Sequence, residues 1–250
     1  MLRRKSQIIN ISSNTSLNGT FKSQVLVTFN DCNFTKKDIK NVYLSIQHCE
    51  IPNSFYIVNY TNNILIVNGT SYTLQRGNYS ATSFATYLLT VLPAGFTITY
   101  SNITNRYTIS YSTNFTISAT STVKNIMGIG NSDLTSVSNT LTLPNCVNFL
   151  PLPRLNFRTN VFRFGSSDIM LSLQNNAPQM GCINYNNVSG TNFYLEDKTI
   201  TSFVISVTDD AGNLINFNGV DWYMTMHIDM DVIEDENELT FQNILTKNII

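Results

Sequence analysis

Apolar side chains recur at every second position along much of this chain, the period that turns alternate residues to one face of a β-sheet. Val25, Val27 and Phe29 alternate first. Val42, Leu44 and Ile46 follow in a strand that Ile51-Pro52-Asn53 closes, because proline cannot donate to a ladder. On the same parity, His48 is expected to face the core edge or a subunit neighbour. Ile169, Leu171 and Leu173 form another such run, and Phe203, Ile205 and Val207 another. The longest pairs an inner row of Trp222, Met224, Met226, Ile228 and Met230 with an outer row of Asp221, Tyr223, Thr225, His227 and Asp229. Between the last two runs, Asp209-Asp210-Ala211-Gly212-Asn213 has the residues of a chain reversal, so a hairpin is predicted over 200–230.

The middle of the chain changes period. Ile64 and Ile66, then Tyr72 and Leu74, predict a short hairpin across Asn68-Gly69, a type I′ turn pair. Phe84, Tyr87, Leu88 and Val91 stand at helical spacing, with Ser80 as N-cap and Pro93 as stop. Alternation returns at Phe96, Ile98, Tyr100 and at Tyr107, Ile109, Tyr111, across a turn at Asn102–Asn105. Phe115 and Ile117 add an edge strand, and Val123–Met127 reads as one helical turn ended by Gly128 or Gly130. This β-β-α-β-β unit over 58–132 is expected to be a small α+β domain inserted into a larger body, which comprises 1–57 and 133–250. Leu143–Arg154 holds three prolines and reads as a long connection. Short strands, turn-rich joints and a single good helix predict an all-β two-sheet sandwich for the body.

Composition narrows the function. Only 12% of the residues are charged and the net charge is −1, whereas 34 Asn, 24 Ser and 29 Thr fill more than a third of the chain. That balance argues against coating nucleic acid, which needs many cations. No apolar run reaches the ~18 residues of a membrane-spanning helix, and Met1–Lys5 is followed by no signal-peptide apolar segment. The ten Asn-x-Ser/Thr sequons barely exceed what the composition produces. Cys32, Cys49, Cys146 and Cys182 lie far apart, which predicts buried thiols and no metal knuckle.

Candidate chemistry is sparse. The two histidines, His48 and His227, accompany no nucleophile motif, and no cofactor loop is present, so no enzyme and no cofactor are expected. His227, Asp229 and Asp231 share one strand face at metal-compatible spacing, although a solvated face has the same pattern. Asp229, Asp231, Glu234, Asp235, Glu236 and Glu238 crowd together near one end, and Arg3, Arg4 and Lys5 form the opposite pole at the other. The acidic run reads as a solvated strand exit or as an interaction surface. One candidate partner for it is the basic arm of a neighbouring subunit. Phe241, Ile244, Leu245 and Ile249 make the following segment apolar, so it either folds back or docks on another subunit. Arg3, Arg4, Asp231, Glu234, Asp235, Glu236, Phe241 and Leu245 are therefore the candidate interface residues.

Several segments in order carry a resemblance. They are Ile51-Pro52-Asn53-Ser54-Phe55-Tyr56, Gly77-Asn78-Tyr79-Ser80 opening a helix, Leu171-Ser172-Leu173, Ile200–Val207, and Asp210–Trp222 with its Phe217-Asn218-Gly219. Over 40–230 this order resembles the penton, or minor capsid, proteins of virophages and polinton-like viruses. The resemblance implies a single jelly roll that forms pentamers at icosahedral vertices and contacts the major capsid protein. It also implies a location in the virion after synthesis in the host cytoplasm, and an inserted unit elaborated on the vertex, where a host receptor or glycan would bind. The residues themselves leave open another reading, a carbohydrate- or receptor-binding β-sandwich of a fibre or lectin-like protein.

Overall fold

The computed structural model describes residues 2–29, 34–36, 38–150, 152–160, 167–195 and 197–233. It divides into two compact units, Met1–Ser54 with Pro153–Ile250, and Phe55–Leu152. The first unit opens with β1 (Leu2–Ser12), β2 (Gln24–Thr28) and β3 (Ile39–Pro52). The second holds β4 (Ile64–Val67), β5 (Thr70–Thr73), α1 (Ala81–Val91), β6 (Thr97–Ser101), β7 (Arg106–Ser110), β8 (Thr116–Ile117), α2 (Lys124–Met127), β9 (Leu134–Thr135) and β10 (Thr140–Thr142). The first unit then resumes with β11 (Arg154–Thr159), β12 (Ile169–Gln174), β13 (Cys182–Asn186), β14 (Phe193–Tyr194), β15 (Ser202–Thr208) and β16 (Tyr223–Ile233).

Two antiparallel sheets make the first unit. One runs β1-β16-β3-β13, with β14 also on β3; the other runs β12-β11-β15-β2. The chain changes sheet between β1 and β2, β2 and β3, β3 and β11, β12 and β13, β14 and β15, and β15 and β16. Only β11–β12 remains a local hairpin in the second sheet. This is the double Greek key of a jelly roll, so the fold is all-β, a single jelly-roll sandwich. Val25, Val27, Phe157, Phe203, Ile205 and Val207 of one sheet, and Val42, Leu44, Met224, Met226 and Ile228 of the other, supply the buried faces. Trp222 is fully buried, meets Phe157 edge-on at 5.5 Å, and donates its indole N–H to the Lys22 carbonyl at 2.6 Å.

The expected hairpin over 200–230 is not formed. β15 pairs with β11 and β2, whereas β16 pairs with β1 and β3. The Asp209–Asn213 turn is real, with the Asp209 carboxylate accepting from Asn213 N–H and side chain. It returns the chain only as far as Ile215, whose N–H bonds the Val207 carbonyl. The chain then crosses to the other sheet through Ile215, Phe217 and Trp222, all buried. Apolar residues in that crossing make it part of the core instead of a strand-to-strand loop. The thiols differ from expectation too: Cys49 is buried, Cys146 and Cys182 are exposed, and Cys32 lies outside the described residues.

In the second unit, β5-β4-β8-β9 and β10-β7-β6 form two small sheets around a core that includes Phe84, Leu88, Tyr107, Phe115 and Met127. Asn68 and Gly69 turn with φ of 50° and 75°, as a type I′ hairpin requires. Ser80 and Ser83 cap α1 reciprocally, and Leu92 ends it. The unit extends beyond 132. β9 pairs with β8, β10 pairs with β7, and Leu143–Phe149 is held by bonds from Leu143 to Tyr107, Asn145 to Gly128 and Asn148 to Ile126. The segment Leu143–Phe149, with Pro144, is thus a margin packed on this unit.

Candidate interaction surface

The outward face of the β1-β16-β3-β13 sheet collects most of the described candidate residues. β1 and β16 pair antiparallel without a break, Arg3 opposite Val232, Arg4 opposite Asp231 and Lys5 opposite Met230. The basic arm therefore meets the start of the acidic run within one chain, where the sequence suggested a neighbouring subunit. Arg4 Nε lies 3.3 Å from Asp231 Oδ1, and Asn41 on β3 donates to the other carboxylate oxygen at 3.0 Å. The Asn41 bond, with Arg4 second, holds the Asp231 carboxyl below its ordinary range. One row along, Ser6 donates to Asp229. Arg4 also sits over the Tyr43 ring at 5.4 Å, and Tyr43 packs against Tyr194 of β14 at 5.7 Å. A continuous strip of polar and aromatic contact thus crosses the sheet from β1 to β14.

His48 lies on this outer face, not at the core edge. β3 carries a bulge: Ile46 stands opposite Met226 and His48 opposite Thr225, so Gln47 is the extra residue. The inserted residue reverses the phase, so Cys49 and Ile51 take over the core positions from Val42, Leu44 and Ile46. The imidazole lies between Asn186 Oδ1 of β13, 2.7 Å from Nδ1, and Glu50 Oε1, 3.1 Å from Nε2. Those two acceptors, Asn186 first, raise its pKa above the usual histidine value. Burial meanwhile pushes the Cys49 thiol up, away from thiolate chemistry.

His227, Asp229 and Asp231 do share the outer face. The two carboxylates are turned to Ser6, Asn41 and Arg4, and no cluster of three or more metal-ligating side chains occurs among the described residues. Glu234, Asp235, Glu236, Phe241 and Leu245 lie outside the described residues. Sequence reasoning missed Asn41, Tyr43, Glu50, Asn186 and Tyr194. The signal for the first two was available, since they are the off-parity residues of the same strand that displays Val42 and Leu44.

At the edge, β1 is exposed along Leu2–Ser6, and Leu2 and Ile8 turn 62% and 59% of their surface outward. Tyr194 and Tyr223 are also half exposed. Such a face offers polar and aromatic area on which Arg4 is paired with Asp231 and Asp229 is held by Ser6, which suits burial against protein.

No protein-family model matches this sequence, and no curated protein matches it. Among solved structures, the mavirus penton protein is similar in fold, with a TM-score of 0.48 and 10% identical residues over 92% of this chain and 100% of that one. The jelly-roll assignment rests on the strand order of this chain itself. No helix among the described residues is long and apolar enough to cross a membrane.

Proposed function

We propose that this chain is a structural capsid protein that assembles as a pentamer at the vertices of an icosahedral particle and contacts the major capsid protein there. The reading places it in the virion after synthesis in the host cytoplasm. The observation that carries it is the outer sheet face: Arg4 paired with Asp231, Asp229 held by Ser6, tyrosines half exposed, and a long edge strand with Leu2 and Ile8 exposed. A closed ring buries such a face without the desolvation cost of unpaired charge. The order of segments over 40–230, which resembles that of penton proteins, supports the same reading. Light scattering of the purified chain is expected to give about five times the 28.1 kDa subunit mass. A stable monomer or trimer that binds glycans would sink the proposal.

That second outcome, a carbohydrate- or receptor-binding sandwich, has one observation in its favour. The outer face of β6, β7 and β10 presents Thr97, Ser110 and Thr140 in one row and Thr99, Thr108 and Thr142 in the next, with Thr108 and Thr142 hydroxyls 2.9 Å apart. A receptor or glycan reached through Phe55–Leu152 would meet hydroxyls there. Glycan-array binding, lost on changing Thr99 and Thr142 to Lys, would establish it.

A further inference from the structure

The outer face of β6, β7 and β10 carries one charge among its hydroxyls. The two hydroxyl rows described above are followed by a third, in which Ser101 stands opposite Arg106. The inner face of these strands is core: Ile98, Tyr107 and Ile109 are buried, and Tyr107 donates its hydroxyl to the Ala81 carbonyl at the start of α1. Arg106 and Thr108, on the other parity, therefore turn outward together. Across the sheet such positions repeat about every 4.8 Å, and along a strand about every 6.8 Å. The Thr108 and Thr142 hydroxyls bond each other at 2.9 Å, which leaves one O–H and free lone pairs for a ligand.

Arg106 is left unsatisfied on this face. Its Nε is buried and has no hydrogen-bond partner, and it forms no ion pair among the described residues. The backbone accounts for the crowding. β6 lies on one side of Arg106. On the other, Leu143 N–H bonds the Tyr107 carbonyl and Val147 N–H bonds the Asn105 carbonyl, so the segment between them runs past Arg106. A guanidinium nitrogen stripped of water and given no acceptor is costly, more so than a neutral amide. The unit's one carboxylate, on Asp133, does not relieve it, because Asp133 already accepts from the Ser118 hydroxyl and the Ala119 N–H. Arg106 remains partly exposed, so an acceptor from solution can reach the guanidinium.

The chemistry selects an anion with hydroxyls around it. Arginine takes a carboxylate or a sulfate through two parallel N–H donors. Serine and threonine hydroxyls both donate and accept, as sugar hydroxyls do. No acid on these three strands repels such a ligand, and Phe55–Leu152 has a net charge of +2, from Arg76, Arg106 and Lys124 against Asp133. A neutral glycan would meet the hydroxyl rows and leave Nε orphaned. We infer that this face binds acidic saccharides, with Arg106 holding the carboxylate or sulfate and the Thr99, Thr108 and Thr142 row holding sugar hydroxyls. On binding, the flexible Arg106 stem turns Nε and one Nη toward the anion. The inference rests on the glycan reading of this face given above, and it holds for any number of subunits.

The test is a glycan array that carries each saccharide core in neutral, carboxylated and sulfated form, probed with the full-length chain. Acidic forms are expected to bind roughly tenfold more tightly than their neutral cores, and the acidic arm that binds names the anion. Arg106→Gln, checked for fold by circular dichroism and thermal unfolding, is expected to remove that preference and leave neutral binding unchanged. Arg76→Gln removes the same charge from the same unit, outside the sheet, and is expected to keep it. A second readout needs no folded Gln variant. The Arg106 Nε–H signal of the wild-type chain, assigned by its loss in Arg106→Lys, is expected to shift in 15N NMR when the bound acidic form is added. An unmoved signal, or equal losses in Arg106→Gln and Arg76→Gln, overturns the inference. Neutral and acidic forms bound equally overturn it too and leave the glycan reading standing. No binding to any form overturns both.

Discussion

Gly128 stands at φ 84°, and a Cβ built on it would come within 2.3 Å of the Asn145 carbonyl oxygen. Gly190 also has a positive φ, 67°, but nothing within 4 Å. Ala at the second position meets only the left-handed penalty of roughly 1 kcal/mol. Ala at the first must also displace backbone, so Gly128→Ala is expected to cost roughly 2–4 kcal/mol and Gly190→Ala about 1, checked by denaturant unfolding. His48 makes a different residue-scale prediction. Its folded pKa is raised, so its contribution to stability is fully present below the unfolded value near ~6.5 and fades as pH rises through the folded one. His48→Gln should therefore lower the melting temperature at pH 6 and leave it nearly unchanged at pH 8.5. An NMR titration midpoint for His48 at or below ~6.5 would contradict the geometry.

The elements were legible to different degrees. α1 was readable from end to end, because Ser80, the apolar spacing and Pro93 are all local signals. Ser80→Ala removes an acceptor for Ser83 N–H and is expected to cost about 1 kcal/mol of stability in the second unit, measured against Thr86→Ala on the exposed face of the same helix. The alternation of β15 and β16 was equally clear, yet their partnership was not. A strand buries one face identically whether its partner is the next strand or one two hundred residues away, so period two says nothing about pairing. The β3 bulge lies between these cases. Apolar residues switch from even to odd numbers after Ile46, at Cys49 and Ile51, and that phase slip is the trace of Gln47.

At the scale of the whole molecule, charge is rationed by position. Phe55–Leu152 contains only Arg76, Arg106, Lys124 and Asp133 as charged residues, and its cohesion comes from an aromatic and aliphatic core. Because that core is continuous within the unit, residues 55–152 expressed alone are expected to fold, with dispersed amide signals by NMR. A collapsed spectrum would show that they depend on the first unit. In the first unit, Arg4, Lys22 and Arg158 each face a carboxylate, on Asp231, Asp221 and Asp168. Three of the first unit's cations thus meet a carboxylate within their own unit.

By itself the sequence determined the inward residues of β2, β7, β15 and most of β16, the position and ends of α1, the Asn68-Gly69 turn, and the all-β class, because each depends on neighbours within a few positions; β4 instead buries Leu65 and Val67, and β12 buries Met170, against the alternation read at Ile64, Ile66, Ile169 and Leu171. Tertiary structure decided the sheet order, the separation of β15 from β16, the outward turn of His48, and the meeting of Arg4 with Asp231. Those outcomes depend on which distant backbone satisfies a strand's outward N–H and C=O groups, a choice among many partners with the same alternation. Only the packing of two whole sheets around Trp222 and Phe157 makes one of them lowest in free energy.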